Sequence, residues 1–199
     1  MAQRQMARGD RDAAQGRLQA IVEQADRVTE MLETFVDAAR ITAGRLPLRV
    51  ERTDLREAFD AALEKARTLV TEHGERPIEI DIPGEIVGAW DRARTIRAMR
   101  SLLTNALQYG DPTQPVRATA RRDGDRATLT ICGAGPGPDE EEQLHLFERF
   151  YRGRSASEIG QSGSGLGLYT ARGIARAQGG EVRRVEGDTF ELELPLTRQ

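Results

Sequence analysis

The chain has 199 residues, with 29 Lys and Arg against 32 Asp and Glu, two His and one Cys. That length suits one ordinary domain with an added element, or two small ones. A net charge of −3 gives no electrostatic reason to expect nucleic acid as the partner. A single cysteine excludes an intramolecular disulfide framework and any multi-cysteine metal site. No apolar run approaches bilayer length, and the N-terminus has no signal-peptide core. The expectation is a soluble, cytoplasmic chain without a membrane segment, whose parent protein carries any anchor elsewhere. Lys65 is the single lysine and lies in LEKAR, so a Walker-A loop is excluded. His73 and His145 are the only candidates for imidazole chemistry.

Residues 1–16 are polar and carry no apolar period, which reads as frayed helix or as residues foreign to the native chain. From Leu18, apolar residues repeat at Ile21, Ala25, Val28, Leu32, Phe35 and Ala39, a seam of alternating three- and four-residue steps. Val22 and Val36 widen it, and Gly44 is positioned as a stop. One helix cannot bury such a seam alone, so residues 17–45 read as a helix that needs a partner. Residues 46–197 then read as one domain. Leu46–Glu51 alternates like a short strand. Asp54 and Glu57 have capping-box spacing for a helix that buries Leu55, Ala58, Phe59, Ala62, Ala66, Leu69 and Val70 and ends at Gly74. Two short strands follow, PIEIDI and EIVGAW. Asp91 caps a helix to about Tyr109 with Ile96, Met99, Leu102, Leu103, Ala106 and Leu107 inward.

Val116–Arg122 and Arg126–Cys132 flank Asp123-Gly124-Asp125, a hairpin signal. GAGPGP is neither helix nor strand. A short helix is expected to carry Leu144, Phe147 and Phe150. Residues 152–163 are a Gly/Ser-rich polar stretch that reads as a mobile loop. Leu166–Gln178 is a helix ended by Gly179-Gly180, and a last hairpin turns through Gly187-Asp188. The order predicts a long helix followed by an α+β domain with one mixed sheet and helices on one face.

Three local signals bear on chemistry. Gly163-Ser164-Gly165-Leu166-Gly167-Leu168 leads straight into a helix, where glycines permit close backbone approach and the helix start offers unpaired N–H groups to an anion. It does not follow a strand, so it is not a dinucleotide-binding fingerprint. Asn105 lies mid-helix, where its amide oxygen can join phosphate oxygens around Mg²⁺. Arg149, Arg152 and Arg154 lie beside the polar loop and can meet phosphates as bidentate donors. Taken singly, each also has a bland reading: a tight turn, a surface amide, a solvated basic face.

In this order, SLLTNALQYG, GAGPGP, LFERFYRG and GSGLGLYTARG resemble the boxes of the catalytic domain of sensor histidine kinases, members of the GHKL ATPases with the Bergerat fold. The preceding helix, ADRVTEMLETFVDAARITAGRLPL, resembles the second dimerisation helix of the same kinases. The resemblance implies a two-layer sandwich that binds ATP with Mg²⁺ and passes the γ-phosphoryl to a His on a dimerisation helix absent here, with a response regulator as final partner. It implies a homodimer through residues 18–39 once the partner helix is supplied. Asn105 would be the Mg²⁺ ligand. Tyr109 would line the nucleotide site, Gly135 and Gly137 would form the turn under the adenine, and Phe147 and Phe150 would anchor the lid. Arg152 would lie near the terminal phosphate. Gly163, Gly165 and Gly167, with Leu166 and Leu168, would cradle phosphate.

Three positions depart from the family pattern. Gly133 stands where an Asp normally accepts a hydrogen bond from the adenine amino group. A lost hydrogen bond to a charged group costs about 1.5–3 kcal/mol, roughly 10- to 100-fold in affinity. Ser101 replaces an Asn, and Gln108 stands where a basic residue often faces phosphate. No His precedes His73, so the phosphoacceptor motif is missing. The alternative expectation is therefore a degenerate module that binds ATP weakly or not at all and serves as a scaffold. Weakened preference for adenine is also expected, since no Asp remains at that position to select it.

Overall fold

The computed structural model describes residues 2–69, 76–153 and 163–197. The chain divides into two units, Met1–Val36 and Asp37–Gln199. The first is helical from Ala2, part of helix α1 (Ala2–Thr42). Leu18, Ile21, Val28 and Leu32 of the seam are each more than half exposed. The helix thus leaves an apolar stripe in water, which is unfavourable.

The second unit begins in the last turn and a half of α1, where the helix meets charge rather than apolar surface. Asp37, with only 3% of its side chain exposed, takes Arg94 Nη1 at 2.6 Å on one oxygen and Arg97 Nη1 on the other. Gly44 closes the helix, donating to the Ile41 carbonyl while Arg45 donates to Arg40. The next strand starts later than the alternation suggests. β1 is Val50–Asp54, because Asp54 accepts from the N–H groups of Arg56 and Glu57 and so opens α2 (Leu55–Leu69) immediately.

Six further strands and three further helices follow among the described residues: β2 (Ile78–Asp81), β3 (Val87–Asp91), α3 (Arg92–Tyr109), β4 (Val116–Asp123), β5 (Arg126–Cys132), α4 (Glu140–His145), α5 (Gly167–Ala177) and β6 (Glu181–Arg184), with β7 (Thr189–Pro195) last. The main sheet has the order β2-β4-β5-β7-β6. It is mixed: β2 runs parallel to β4 and the other pairs are antiparallel. One expectation needs correcting. β3 does not join this sheet but pairs antiparallel with β1 in a separate two-stranded ribbon. Trp90 on β3 is fully buried and donates Nε1–H to the Pro195 carbonyl at 2.5 Å, which ties the ribbon to the end of β7.

The sheet alternates as a half-buried sheet must. Ala127, Leu129 and Ile131 of β5 lie opposite Leu194, Leu192 and Phe190 of β7, all buried beneath α2, α3 and α5. The other face is charged, with Glu191 and Glu193 paired to Arg183 and Arg126. α4 also differs from expectation. It ends at His145, so Phe147 and Phe150 lie beyond it, and its start carries an Asp139/Glu142 capping box. The helix end expected at Gly74 and most of the loop expected at 152–163 lie outside the described residues.

Asp37 holds two arginines with almost no water access, and removing one partner of a buried ion pair strands the other. Asp37→Ala is expected to lower unfolding free energy by about 3 kcal/mol, measured by urea denaturation. Arg56→Ala, at an exposed i,i+4 pair with Asp60, is expected to change it by under ~1 kcal/mol.

Candidate nucleotide site

Helix α3 is the platform. Asp91 caps its start, accepting from Arg94 N–H at 3.0 Å. Leu102, Leu103 and Ala106 point into the core, which leaves Ser101, Asn105, Gln108 and Tyr109 half-buried on the flank. Burial pushes the Tyr109 hydroxyl above its ordinary pKa, opposed by the charge of Arg152. Arg152 is thus within electrostatic reach of the ring.

The turn after β5 crosses the end of α3 at backbone distance. Gly133 carbonyl accepts from Asp111 N–H at 3.0 Å. A β-carbon on Gly135 would lie 3.0 Å from the Tyr109 carbonyl oxygen and 3.1 Å from Gly110 Cα. Ala134 holds a φ of 59°, a left-handed conformation that costs a non-glycine residue about 1–2 kcal/mol. Gly137 has a φ of 72°, and a β-carbon there would overlap the Gly187 carbonyl.

The second glycine segment approaches α3 from the other side. A β-carbon on Gly167 would sit 3.9 Å from Ser101 Oγ. Gly165 has a φ of 65°, and its carbonyl accepts from Phe150 N–H at 3.0 Å. A β-carbon at Gly165 would lie 2.6 Å from the Phe150 carbonyl carbon, so only glycine fits. Leu166 is fully buried and Leu168 packs against the core. Exposed Gly163 leads into the segment. α3 and α4 both have carboxylate caps, but the start of α5 has no side-chain cap. Its first-turn N–H groups therefore receive no side-chain acceptor from the cap residue.

The two phenylalanines separate. Phe147 meets Phe190 edge-on at 6.4 Å between centroids, and Arg172 stacks 4.6 Å over its ring. Phe150 is 61% exposed and holds a φ of 66°. His145 pairs with Glu148 at 3.0 Å and tilts against Tyr151. His73 and Arg154 lie outside the described residues.

Two residues at this site were not singled out from the sequence. Arg76 spans three carbonyls: its Nε donates to Gln114, Nη1 to Ala106 at 2.8 Å and Nη2 to Gly133 at 2.5 Å. Asp188 is 4% exposed. Its Oδ1 accepts from Asn105 Nδ2 at 3.4 Å. Its Oδ2 is the single buried side-chain oxygen or nitrogen without a partner among the described residues. Burial pushes its carboxyl up to about 7, opposed by the charges of Arg76 and Arg184. In the sequence Asp188 is an ordinary turn residue; nothing short of the strand register marks it.

A mixed sheet covered on one face by helices, with glycine turns meeting a flanking helix from both sides, is the architecture of a nucleotide-binding ATPase. The family of histidine kinase-, DNA gyrase B- and HSP90-like ATPases matches residues 90–198, more than half of the chain, and the protein belongs to it. The chain is 32% identical over 165 residues to the swarming motility regulation sensor protein RssA of Serratia marcescens, covering 81% of this chain and 34% of that protein. It is 31% identical over 183 residues to the sensor histidine kinase MtrB of Mycobacterium bovis, covering 89% and 32%. It therefore spans about a third of the length of these curated relatives. The Acinetobacter baumannii histidine kinase AdeS shares the fold with a TM-score of 0.69 at 20% identity, over 90% of this chain and 83% of that one. Among the described residues no helix is long and apolar enough to cross a membrane.

The folded Asp188 carboxyl holds its proton to about pH 7, whereas an unfolded Asp releases it near 3.8. Between those values the native state binds more protons than the unfolded state, so this residue's contribution to stability is present below pH 3.8 and is lost as pH rises to about 7. Asp188→Asn is expected to raise Tm by several degrees at pH 8, with the gain shrinking toward pH 4, as read by thermal melts across that range.

Proposed function

We propose that this chain is the ATP-binding catalytic region of a two-component histidine kinase, with part of a dimerisation helix. The observation that carries the reading is the convergence on the second half of α3. The turn at Gly133–Gly137 meets it at Ala106 and Tyr109, and the segment at Gly165–Gly167 meets it at Ser101. A triphosphate fits the donors gathered there: the uncapped start of α5, the backbone opened by Gly165, and the guanidinium of Arg152. No group of three His, Cys, Asp or Glu among the described residues can hold a metal ion. Mg²⁺ would therefore enter with the phosphates, taking Asn105 as its protein ligand and neutralising charge as the γ-phosphoryl transfers.

The chain's own share of the chemistry is positional and electrostatic. Tyr109 and the backbone of Gly135 border the nucleoside end. The α5 N–H groups and Arg152 oppose phosphate charge, a task that Gln108 cannot perform. The acceptor His comes from a first dimerisation helix, which the seam from Leu18 to Ala39 would pair with in a homodimer. A response-regulator Asp takes the phosphoryl last. The scaffold alternative rests on Gly133, Ser101 and Gln108, and Asp188 beside Gly133 weakens the first of these grounds.

Calorimetric titration with Mg²⁺ and a non-hydrolysable ATP analogue is expected to give submillimolar binding. Asn105→Ala is expected to weaken the Mg²⁺-dependent part by about tenfold or more. With a His-bearing first dimerisation helix supplied in trans, radiolabel from γ-labelled ATP should appear on that His. A folded chain that takes up no analogue at millimolar concentration would overturn the reading in favour of the scaffold.

A further inference from the structure

Gly133 has no side chain, yet the place its side chain would occupy is filled. A β-carbon built on Gly133 would overlap Asp188 Oδ2, and it would also lie 3.1 Å from the Ala106 carbonyl oxygen. The cause is the sheet. β5 and β7 pair antiparallel with Cys132 opposite Thr189, and one step further Gly133 N–H donates to the Asp188 carbonyl at 2.9 Å. The two positions are cross-strand neighbours, whose side chains share one patch of space. With glycine on one strand, the carboxylate of the other leans across it.

That carboxylate is poorly satisfied by the protein. Among the described residues Oδ2 has no partner, and the bond to Oδ1 from Asn105 is a long one at 3.4 Å. Arg76, the guanidinium whose charge acts most strongly on it, donates instead to the carbonyls of Gln114, Ala106 and Gly133. A buried carboxylate oxygen left open is costly, and each such group asks for an explanation. An oxygen of this kind, at the end of a nucleotide site, fits a ligand N–H donor.

Resting on the ATP-site reading above, we infer that Asp188 supplies from the β6–β7 turn the carboxylate that selects adenine, accepting from its exocyclic amine in place of the missing side chain at residue 133. The protein then keeps its base preference despite Gly133, contrary to the weakened preference expected from the sequence. Gly133 is a requirement of this arrangement, since any side chain there collides with Asp188. The device also separates stability from binding. Removing Asp188 relieves an unsatisfied buried charge in the free protein while taking away the acceptor for the base. A residue holding the fold together would show the opposite.

The test is a cycle between one protein group and one ligand group. The wild-type chain, Asp188→Ala and Asp188→Asn are titrated with the Mg²⁺ complexes of ATP, GTP and purine riboside triphosphate, which lacks the 6-amino group. The wild type is expected to prefer ATP over the deamino analogue by about 10- to 100-fold. Asp188→Ala is expected to bring the two within about threefold, mainly by weakening ATP, while its Tm at pH 8 stays at or above the wild-type value. Gly133→Asp alone should lower Tm without improving ATP binding; in the Asp188→Ala background it should restore preference for ATP. An unchanged ratio of ATP to deamino analogue in both Asp188 variants would overturn the inference while leaving the ATP site standing. Equal loss of all three nucleotides in both variants would also overturn it, marking a structural role. A wild-type chain that binds none of the three would overturn the ATP-site reading itself. The wild-type comparison needs no substitution, so equal wild-type binding of ATP and its deamino analogue refutes the inference even if a variant fails to fold.

Discussion

The antiparallel register of β5 on β7 is the constraint from which most of the structure follows. In one alternate set of positions it stacks Ala127 on Leu194, Leu129 on Leu192 and Ile131 on Phe190, and this apolar surface is what α3 and α5 pack against. The other set places Glu191 and Glu193 on the opposite face among arginines. Side chains alternate with a period of two, so a slip of one residue would exchange the faces and leave the helices without a surface to bury. Where the strands end, the same register brings the turn at Gly133–Gly137 against the turn at Gly187-Asp188.

On the two sides of α3 the protein holds several costly arrangements. Ala134 and Phe150 have left-handed backbones, the start of α5 lacks a side-chain cap, and Asp188 keeps a carboxylate oxygen with no partner among the described residues. Each costs on the order of 1–3 kcal/mol. They survive because their neighbours are over-determined: the Phe150 N–H is fixed on the Gly165 carbonyl, Leu166 is fully buried, and Arg76 straps together three carbonyls. Unsatisfied donors and acceptors gathered at one edge of a well-packed sandwich are what a polar, charged ligand requires.

Much of the fold was legible in local pattern. Asp54 and Asp91 could be read as helix caps, the apolar faces of α2 and α3 from their periods, and the hairpin between β4 and β5 from Asp123-Gly124-Asp125. The errors have physical reasons. Alternation at Leu46–Glu51 resembles a strand, but the chain pairs with β3 only from Val50. Phe147 and Phe150 have helical spacing, yet α4 stops at His145, and Phe150 takes a left-handed conformation against Gly165. The membership of β3 in a separate ribbon was invisible, because short strands do not announce their partners.

The site divides along the same line. By itself, the sequence marked the residues proposed to line it, since glycine turns, an amide in mid-helix and a glycine-rich helix start are local features, and it showed that residue 133 has no carboxylate. Only the tertiary structure decided what stands in that place. Asp188 lies 55 positions further along the chain, and it reaches Gly133 only because strand pairing makes the two cross-strand neighbours. Register is set by the burial of a whole sheet face rather than by any short motif, so the replacement of one carboxylate by another could be seen only after the strands were paired.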